Sequence, residues 1–338
     1  MLQLESENLL IQETFSKAFE LNYEPTNLDR IITDFDFTTY HISTPELKTK
    51  ILFSIKIKCF EDLVKYGVFE ILKLKYSTPN ITILSEPQQG YDFSLYIDIE
   101  NLKFNNEDEK LELIENLSLL KRNCFSAPFL KAFNRYDELS KLSPPDPNNL
   151  YGVDNITSDT NKEEVLTISY RDLESIYIKP SNDRVTVIFS TIFKDETDKV
   201  LSKVFLQEFS DARKRSVQKA PQVINSHKEP PLEIRHLIRP TTSEGQTSYI
   251  TFVLFPRHLT QLARWNTITH IQLFRSYFHY HIKIAKCYLH QRMRYRVSGF
   301  MKVLNRAKID SDEGELAADG SGVKERKTAT GRRFEVRI

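Results

Sequence analysis

Glycine is scarce in this chain: there are nine among 338 residues, and four of those fall in the last 25. That scarcity argues against the Gly-rich phosphate loops on which many nucleotide enzymes rely. Cysteine is scarcer still. Cys59, Cys124 and Cys287 are odd in number, widely spaced and set among apolar neighbours, a pattern of reduced thiols in a cytosolic protein rather than a disulfide frame or a metal site. Long apolar runs are missing as well. The densest, residues 249–255, is far short of the roughly 20 residues a membrane span needs. Residues 1–20 carry acids and no sustained apolar core, which argues against a signal peptide. No Gly-x-Ser-x-Gly, His-Glu-x-x-His or Cys-x-x-Cys is present, so the common hydrolase, metalloprotease and redox signatures are not represented.

Apolar residues make up 40% of the chain and there are 22 Phe, ample for buried cores, and the length fits two domains of ordinary size. The net charge of +1 does not by itself announce a nucleic-acid or membrane binder.

Alternating and helical periodicities place the elements. After an amphipathic segment at 4–19, strand-like runs are expected at 30–42 and 50–59, where Ile51, Phe53, Ile55 and Ile57 alternate with other residues. A helical stretch at 60–76 precedes strands at 80–84 and 91–99 on either side of the turn-rich Glu86-Pro87-Gln88-Gln89-Gly90. Asn105 or Asn106 is placed to cap a helix over 107–120, and Asp108, Glu109 and Glu112 suit its positive end. A further helix is expected at 129–142, after Pro128. Residues 143–164 are turn formers and polar residues almost throughout, the composition of an exposed linker. The order of elements then recurs: strands at 165–170, 175–178 and 184–193, a helix at 197–216, strands at 222–225 and 248–255, and a long helix from about 260 to 308. The expected fold class is α+β, with two related domains (1–142 and 165–308), each a mainly antiparallel sheet with helices on one face. A variable tail would occupy 309–338.

The terminal helix carries most information. No proline interrupts it, and Gly299 is its only glycine. At ~1.5 Å per residue it would run ~72 Å, against roughly 50 Å for the diameter of a compact globule of this length, so its far end should extend past its own fold. Residues placed about 100° apart around the axis form two apolar stripes on opposite sides. Ile271, Phe274, Phe278, Ile282, Ala285 and Leu289 make the first, and Leu273, Tyr277, Tyr280, Ile284 and Cys287 the second. The arc left polar holds Gln272, Arg275, Ser276, His279, Lys283, Lys286 and His290. One stripe should pack on the protein's own sheet. The other is expected on a partner, because burying each such side chain is worth roughly 1.5–3 kcal/mol and a bare aromatic patch of that size is uncommon on monomers. A second layer of the same fold is the alternative cover. From Arg257 to Ile309 there are eleven Lys or Arg and no Asp or Glu, an imbalance that asks for an acidic partner: an actin filament, a nucleic acid or an anionic lipid.

Two chemical readings compete with binding. The strand ending Asp34-Phe35-Asp36-Phe37-Thr38 has the Asp-x-Asp-x-Thr form of haloacid-dehalogenase-type phosphatases, in which one carboxylate attacks phosphorus and the other serves as acid and base. The downstream acidic pair that would hold Mg²⁺ is not found, and Tyr151-Gly152-Val153-Asp154 lies in the linker. His279 and His281 point about 200° apart on a helix and cannot share a metal ion. The basic helix, interleaved with aromatics, also suits nucleic acid, although Tyr277, Phe278 and Tyr280 lie on the apolar stripes.

Several strings carry a resemblance. They are Asp34-Phe35-Asp36 followed by Tyr40-His41-Ile42-Ser43, Leu120-Lys121-Arg122-Asn123-Cys124-Phe125, Asp183-Arg184-Val185-Thr186-Val187, Gln207-Glu208-Phe209, Ala220-Pro221-Gln222-Val223, and His227-Lys228-Glu229-Pro230-Pro231-Leu232-Glu233. The strongest is YITFVLFPRH at 249–258, with Tyr280-His281-Ile282-Lys283 and Lys302-Val303-Leu304-Asn305-Arg306-Ala307 behind it. Through these the chain resembles the 34-kDa subunit family of the actin-related protein 2/3 complex over most of its length. The linker and the acidic stretch 310–319 depart from the pattern, and the family's tail is recognisable again at Lys327-Thr328-Ala329-Thr330-Gly331.

The resemblance implies a non-enzymatic scaffold of two related α+β domains, with a long C-terminal helix packed along the corresponding helix of subunit 4. It implies contact with both actin-related subunits and with the side of the mother filament at a branch, in the cytoplasm and in cortical actin patches. No cofactor is implied, ATP being bound by the actin-related subunits, and the Asp-x-Asp strand recurs in the family without phosphatase activity. The residues expected to meet actin or neighbouring subunits are Arg275, Lys283, Lys286, Arg292, Arg294, Arg296, Lys302 and Arg306. Those expected to pack on the partner helix are Leu273, Tyr277, Tyr280, Ile284 and Cys287.

Overall fold

Among the described residues, ten strands pair into two five-stranded sheets that share one connectivity. The computed structural model describes residues 4–20, 26–102, 104, 106–142, 165–227, 229–238, 247–307, 324–327 and 333–336. The first sheet contains β1 (Asp29–Asp34), β2 (Thr38–Ser43), β3 (Lys50–Lys56), β4 (Ile81–Ile83) and β5 (Phe93–Asp98), in the order β1-β2-β3-β5-β4. The second contains β6 (Leu166–Ile168), β7 (Ile176–Pro180), β8 (Val185–Ile192), β9 (Gln222–His227) and β10 (Thr247–Leu254), in the order β6-β7-β8-β10-β9. All of these pairings are antiparallel.

Helices occupy matching places in the two repeats. Between the third and fourth strands stand α2 (Phe60–Lys65) and α3 (Val68–Tyr76) in the first repeat, and α6 (Glu196–Arg215) in the second. After the fifth strand come α4 (Glu107–Ser118) and α5 (Leu120–Leu142) in the first, and α7 (Arg264–Ala307) in the second; α1 (Leu9–Ala18) leads the chain. The expected α+β class, with its repeated unit and long last helix, is the class observed.

Local differences from the sequence reading have physical causes. The run at 30–42 is a hairpin rather than one strand, because β1 turns back on β2 through Phe35, Asp36 and Phe37, and Asp36 and Phe37 adopt positive φ (61° and 55°). The stretch at 60–76 breaks into α2 and α3 at Gly67, whose φ of 86° suits a residue without Cβ. Helix α5 does not begin after Pro128 but contains it. An internal proline costs about 3 kcal/mol, and here burial of Phe125, Phe129 and Phe133 on the same helix offsets that at roughly 1.5–3 kcal/mol each. Asn106 is the N-cap of α4, without a side-chain cap bond. The expected linker 143–164 lies outside the described residues, as does most of the tail.

Helix α5 joins the repeats. It packs against α2 and α3 of the first and against β7 and β8 of the second, so one apolar cluster runs from Ile11 and Phe15 through Phe129 and Phe133 to Phe189, Phe278 and Ile282. Chain segments up to Ala285 form one compact unit. The second unit, Lys286–Ile338, contains the remainder of α7 and the antiparallel pair β11 (Lys324–Lys327) and β12 (Arg333–Val336). No helix among the described residues is long and apolar enough to cross a membrane.

Candidate binding surface on the terminal helix

Helix α7 is 44 residues long, or ~66 Å at ~1.5 Å per residue, and its environment changes along its length. Its first turn is anchored in α5. The buried guanidinium of Arg264 donates from Nε to the carbonyl of Leu259 at 2.8 Å, from Nη1 to Asn134 Oδ1 at 3.1 Å, and pairs with Asp137. The centroid of the Trp265 ring lies 4.8 Å from Lys75 Nζ and 5.1 Å from the Arg122 guanidinium carbon, two cation–π contacts that tie the helix to the first repeat.

The middle turns bury the first stripe. Ile268, Ile271, Phe278 and Ile282 are buried. The Phe274 ring meets Phe252 and Phe189 of the second sheet at 4.6 and 5.4 Å, and Phe278 meets Phe193 and Phe209 at 6.2 Å each. This stripe ends at Ile282. Ala285 is half-buried and Leu289, expected on the docked side, is 48% exposed.

The arc expected to face water is partly internal. Ser276 is buried, and Gln272 and His279 are half-buried. The His279 ring stacks on Phe193 at 5.2 Å, and burial, with the Arg275 and Arg171 cations nearby, pushes its pKa down to about 3. Arg275 is held within the chain. Its Nε and Nη2 donate to the two carboxylate oxygens of Glu174 at 2.9 and 3.0 Å, a bidentate pair in which both side chains are largely buried. Among the expected contact cations, Arg275 is thus already committed to a carboxylate of its own fold.

Glu174 is one node of a longer chain of charges. Arg171 lies 3.6 Å from it and donates from Nε and Nη2 to Asp36 Oδ1 at 3.1 and 2.8 Å. Buried Lys121 stands 3.6 Å from Asp36 Oδ2 and 3.7 Å from Asp34 Oδ2, and donates to the Phe35 carbonyl at 2.7 Å. The carboxylates of the phosphatase-like motif are thus structural, tied to cations from α5 and from the loop before β7. No group of three His, Cys, Asp or Glu able to hold a metal ion occurs among the described residues.

On the second stripe, Leu273, Tyr277 and Tyr280 are half-buried, Ile284 is 42% exposed, and Cys287 is an exposed free thiol. Lys286 is half-buried, and from Cys287 to Arg306 every residue of α7 is exposed. Lys283, Arg294, Arg296, Lys302 and Arg306 make no ion pair with a carboxylate among the described residues. Arg292 donates to Tyr288 Oη at 2.7 Å and covers that ring. A third set, Leu289, Met293, Val297, Phe300 and Leu304, is exposed at spacings of four, four, three and four, one helical face. Of this set only Leu289 is expected from the first stripe; spacing alone defines the other four.

A helix end that exposes cations and apolar side chains together, with no acid in its own sequence, is built for contact with another macromolecule. Residues 53–311 match the family model described as Arp2/3 complex, 34 kD subunit p34-Arc. The actin-related protein 2/3 complex subunit 2 of Schizosaccharomyces pombe is 47% identical over 335 residues, 99% of each chain. The protein of the same name from Dictyostelium discoideum is 35% identical over 308 residues, 91% of this chain and 94% of that one. This chain belongs to the 34-kD subunit family of the Arp2/3 complex.

Proposed function

We propose that this protein works by binding alone, as the scaffold and filament-binding subunit of the Arp2/3 complex in the nucleation of branched actin filaments. Family membership supports the assembly. The observation that carries the mechanism is the exposed, acid-free stretch 287–306 of α7, in which cations and apolar side chains face solvent together. Leu273, Tyr277, Tyr280, Ile284 and Cys287 pack against the helix of subunit 4. Lys283, Lys286, Arg292, Arg294, Arg296, Lys302 and Arg306 meet carboxylates of the mother filament and of neighbouring subunits, where Coulomb attraction steers encounter and fixes register. Arg275 drops out of that set because Glu174 already neutralises it. The site of action is the cytoplasm, at cortical actin patches.

The test is charge reversal. Complex carrying Arg292→Glu, Arg294→Glu and Arg296→Glu should assemble normally and form branches at a much reduced rate, with weaker co-sedimentation on filaments. Co-sedimentation equal to that of the parent at low salt would refute the electrostatic contact.

A further inference from the structure

Apolar periodicity does not say which face of α7 belongs inside. The docked stripe offers Ile271, Phe274, Phe278 and Ile282, and the other stripe Leu273, Tyr277, Tyr280 and Ile284, two sets of nearly equal apolar volume whose centres lie roughly 140° apart around the axis. A helix turned by that angle would bury a comparable surface on the same sheet. The phenol groups of Tyr277 and Tyr280 favour the outside only weakly, since Tyr170 and Tyr249 are buried in this same molecule at 2% and 5% exposure.

One interaction distinguishes the two orientations sharply. Arg275 lies beside the docked stripe, and its guanidinium reaches Glu174, which is 5% exposed and reachable only in the observed orientation. Glu174 cannot leave. It also accepts from the backbone N–H of Ile192 at 3.2 Å and from the Tyr170 hydroxyl at 3.3 Å. Arg171 links it to Asp36, and Lys121 braces Asp36 and Asp34 at the turn between β1 and β2. Turning the helix would take the bidentate Arg275 from this buried carboxylate, leaving it only Arg171 at 3.6 Å, which Asp36 already shares, a loss that the near-equal apolar faces do not offset.

We infer that the buried ladder Lys121–Asp36–Arg171–Glu174–Arg275 sets the rotation of α7, selecting which of its two apolar faces packs on the sheet and which is presented to a partner. Glu174 and Arg275 are positioning residues on this account, and the ladder gives the Asp34-Phe35-Asp36 segment its role. The inference deepens the binding role proposed above by naming what keeps the partner stripe outward. Its readout needs no partner, so it stands or falls separately from that role.

Thiol labelling of the full-length chain tests it. In a Cys287→Ser background, with Cys59 and Cys124 buried, a reporter is placed on the outer face by Tyr277→Cys or on the inner face by Ile282→Cys, and each is labelled with a maleimide. In the parent the outer thiol reacts much faster than the inner. Replacing the pair by Glu174→Leu with Arg275→Leu should lower the thermal midpoint, since the Ile192 N–H and the Tyr170 hydroxyl lose their acceptor. It should also lower the outer-to-inner rate ratio by about tenfold, as the turned orientation becomes populated. Arg275→Lys, which keeps the charge, should stay within about threefold of the parental ratio. Should the double variant fail to fold, Glu174→Gln supplies the same ratio. A parental ratio in the folded double variant, or in Glu174→Gln, would show that apolar packing alone chooses the face and would overturn the inference.

Discussion

The hydroxyl of Tyr66 completes the outer edge of the second sheet, accepting from the backbone N–H of Thr167 at 2.9 Å and donating to the carbonyl of the same residue at 3.0 Å. Tyr66 follows α2 in the first repeat, and Thr167 lies in the middle of the edge strand β6. Asp62, on α2 itself, accepts from the neighbouring Ser169 N–H at 3.0 Å. An edge strand left open is a template for unwanted pairing. Here the first repeat closes it with one phenol and one carboxylate.

Tyr66→Phe should therefore cost about 1–3 kcal/mol, because it leaves a part-buried N–H and C=O without a partner while keeping the ring. Urea denaturation checks this, the midpoint falling with an unchanged slope. A cost below about 0.5 kcal/mol would mean that water replaces the phenol at no penalty.

Ile284 is partly exposed on the proposed partner face, so Ile284→Asp should change the stability of the free chain by less than about 0.5 kcal/mol. In the assembly, a carboxylate on a buried apolar contact should weaken association by at least about 2 kcal/mol, roughly thirtyfold. Tyr280→Asp should behave alike. Stoichiometric co-purification of either variant with the other subunits would remove this stripe from the interface.

Salt separates the cationic contacts from the apolar ones. The screening length shrinks from about 30 Å at 0.01 M to about 8 Å at 0.15 M ionic strength, so filament binding should weaken as salt rises. The slope should be shallower for Lys302→Ala with Arg306→Ala than for the parent. Parallel slopes in co-sedimentation would place Lys302 and Arg306 away from the filament.

Half-buried His279 is neutral, its folded pKa lowered from 6.5 to about 3 by partial burial and the nearby Arg275 and Arg171 cations. A group depressed in this way contributes no pH-dependent loss above about 6.5. Below it the unfolded chain takes up a proton that the folded chain refuses, so stability falls by at most about 1.4 kcal/mol per pH unit down to about 3. The stability advantage of the parent over His279→Gln should consequently shrink between about pH 7 and about pH 5. Denaturation midpoints of both proteins across that window provide the measurement, and a constant difference would mean that the ring is protonated in the fold.

The repeat was legible because strand alternation and its interruption by turn formers are local properties. The run Ile51, Phe53, Ile55, Ile57 declares a buried strand, and the second half repeats the first in the order of its elements. The two apolar stripes of the last helix were equally legible from spacing. What spacing could not disclose was Glu174. It is 101 residues from Arg275, in a turn-forming stretch with no pattern around it, and only its burial gives it meaning. Arg275 looked like its neighbours Lys283 and Lys286 in sequence, and the fold divided them. Pro128 misled for a related reason: its local signal marks a helix boundary, and a core that runs on both sides of α5 overrode it.

Sequence alone determined the class of fold, the recurring order of strands and helices along the chain, the approximate length of the terminal helix and the absence of acids along it, since each follows from composition or from a period of two or 3.6 residues. The tertiary structure decided which apolar face of that helix is inside, which arginine is already spoken for, and what the paired aspartates at the first turn are for. These depend on charges far apart in the chain meeting where water is excluded, and burial multiplies the cost of leaving any one of them alone.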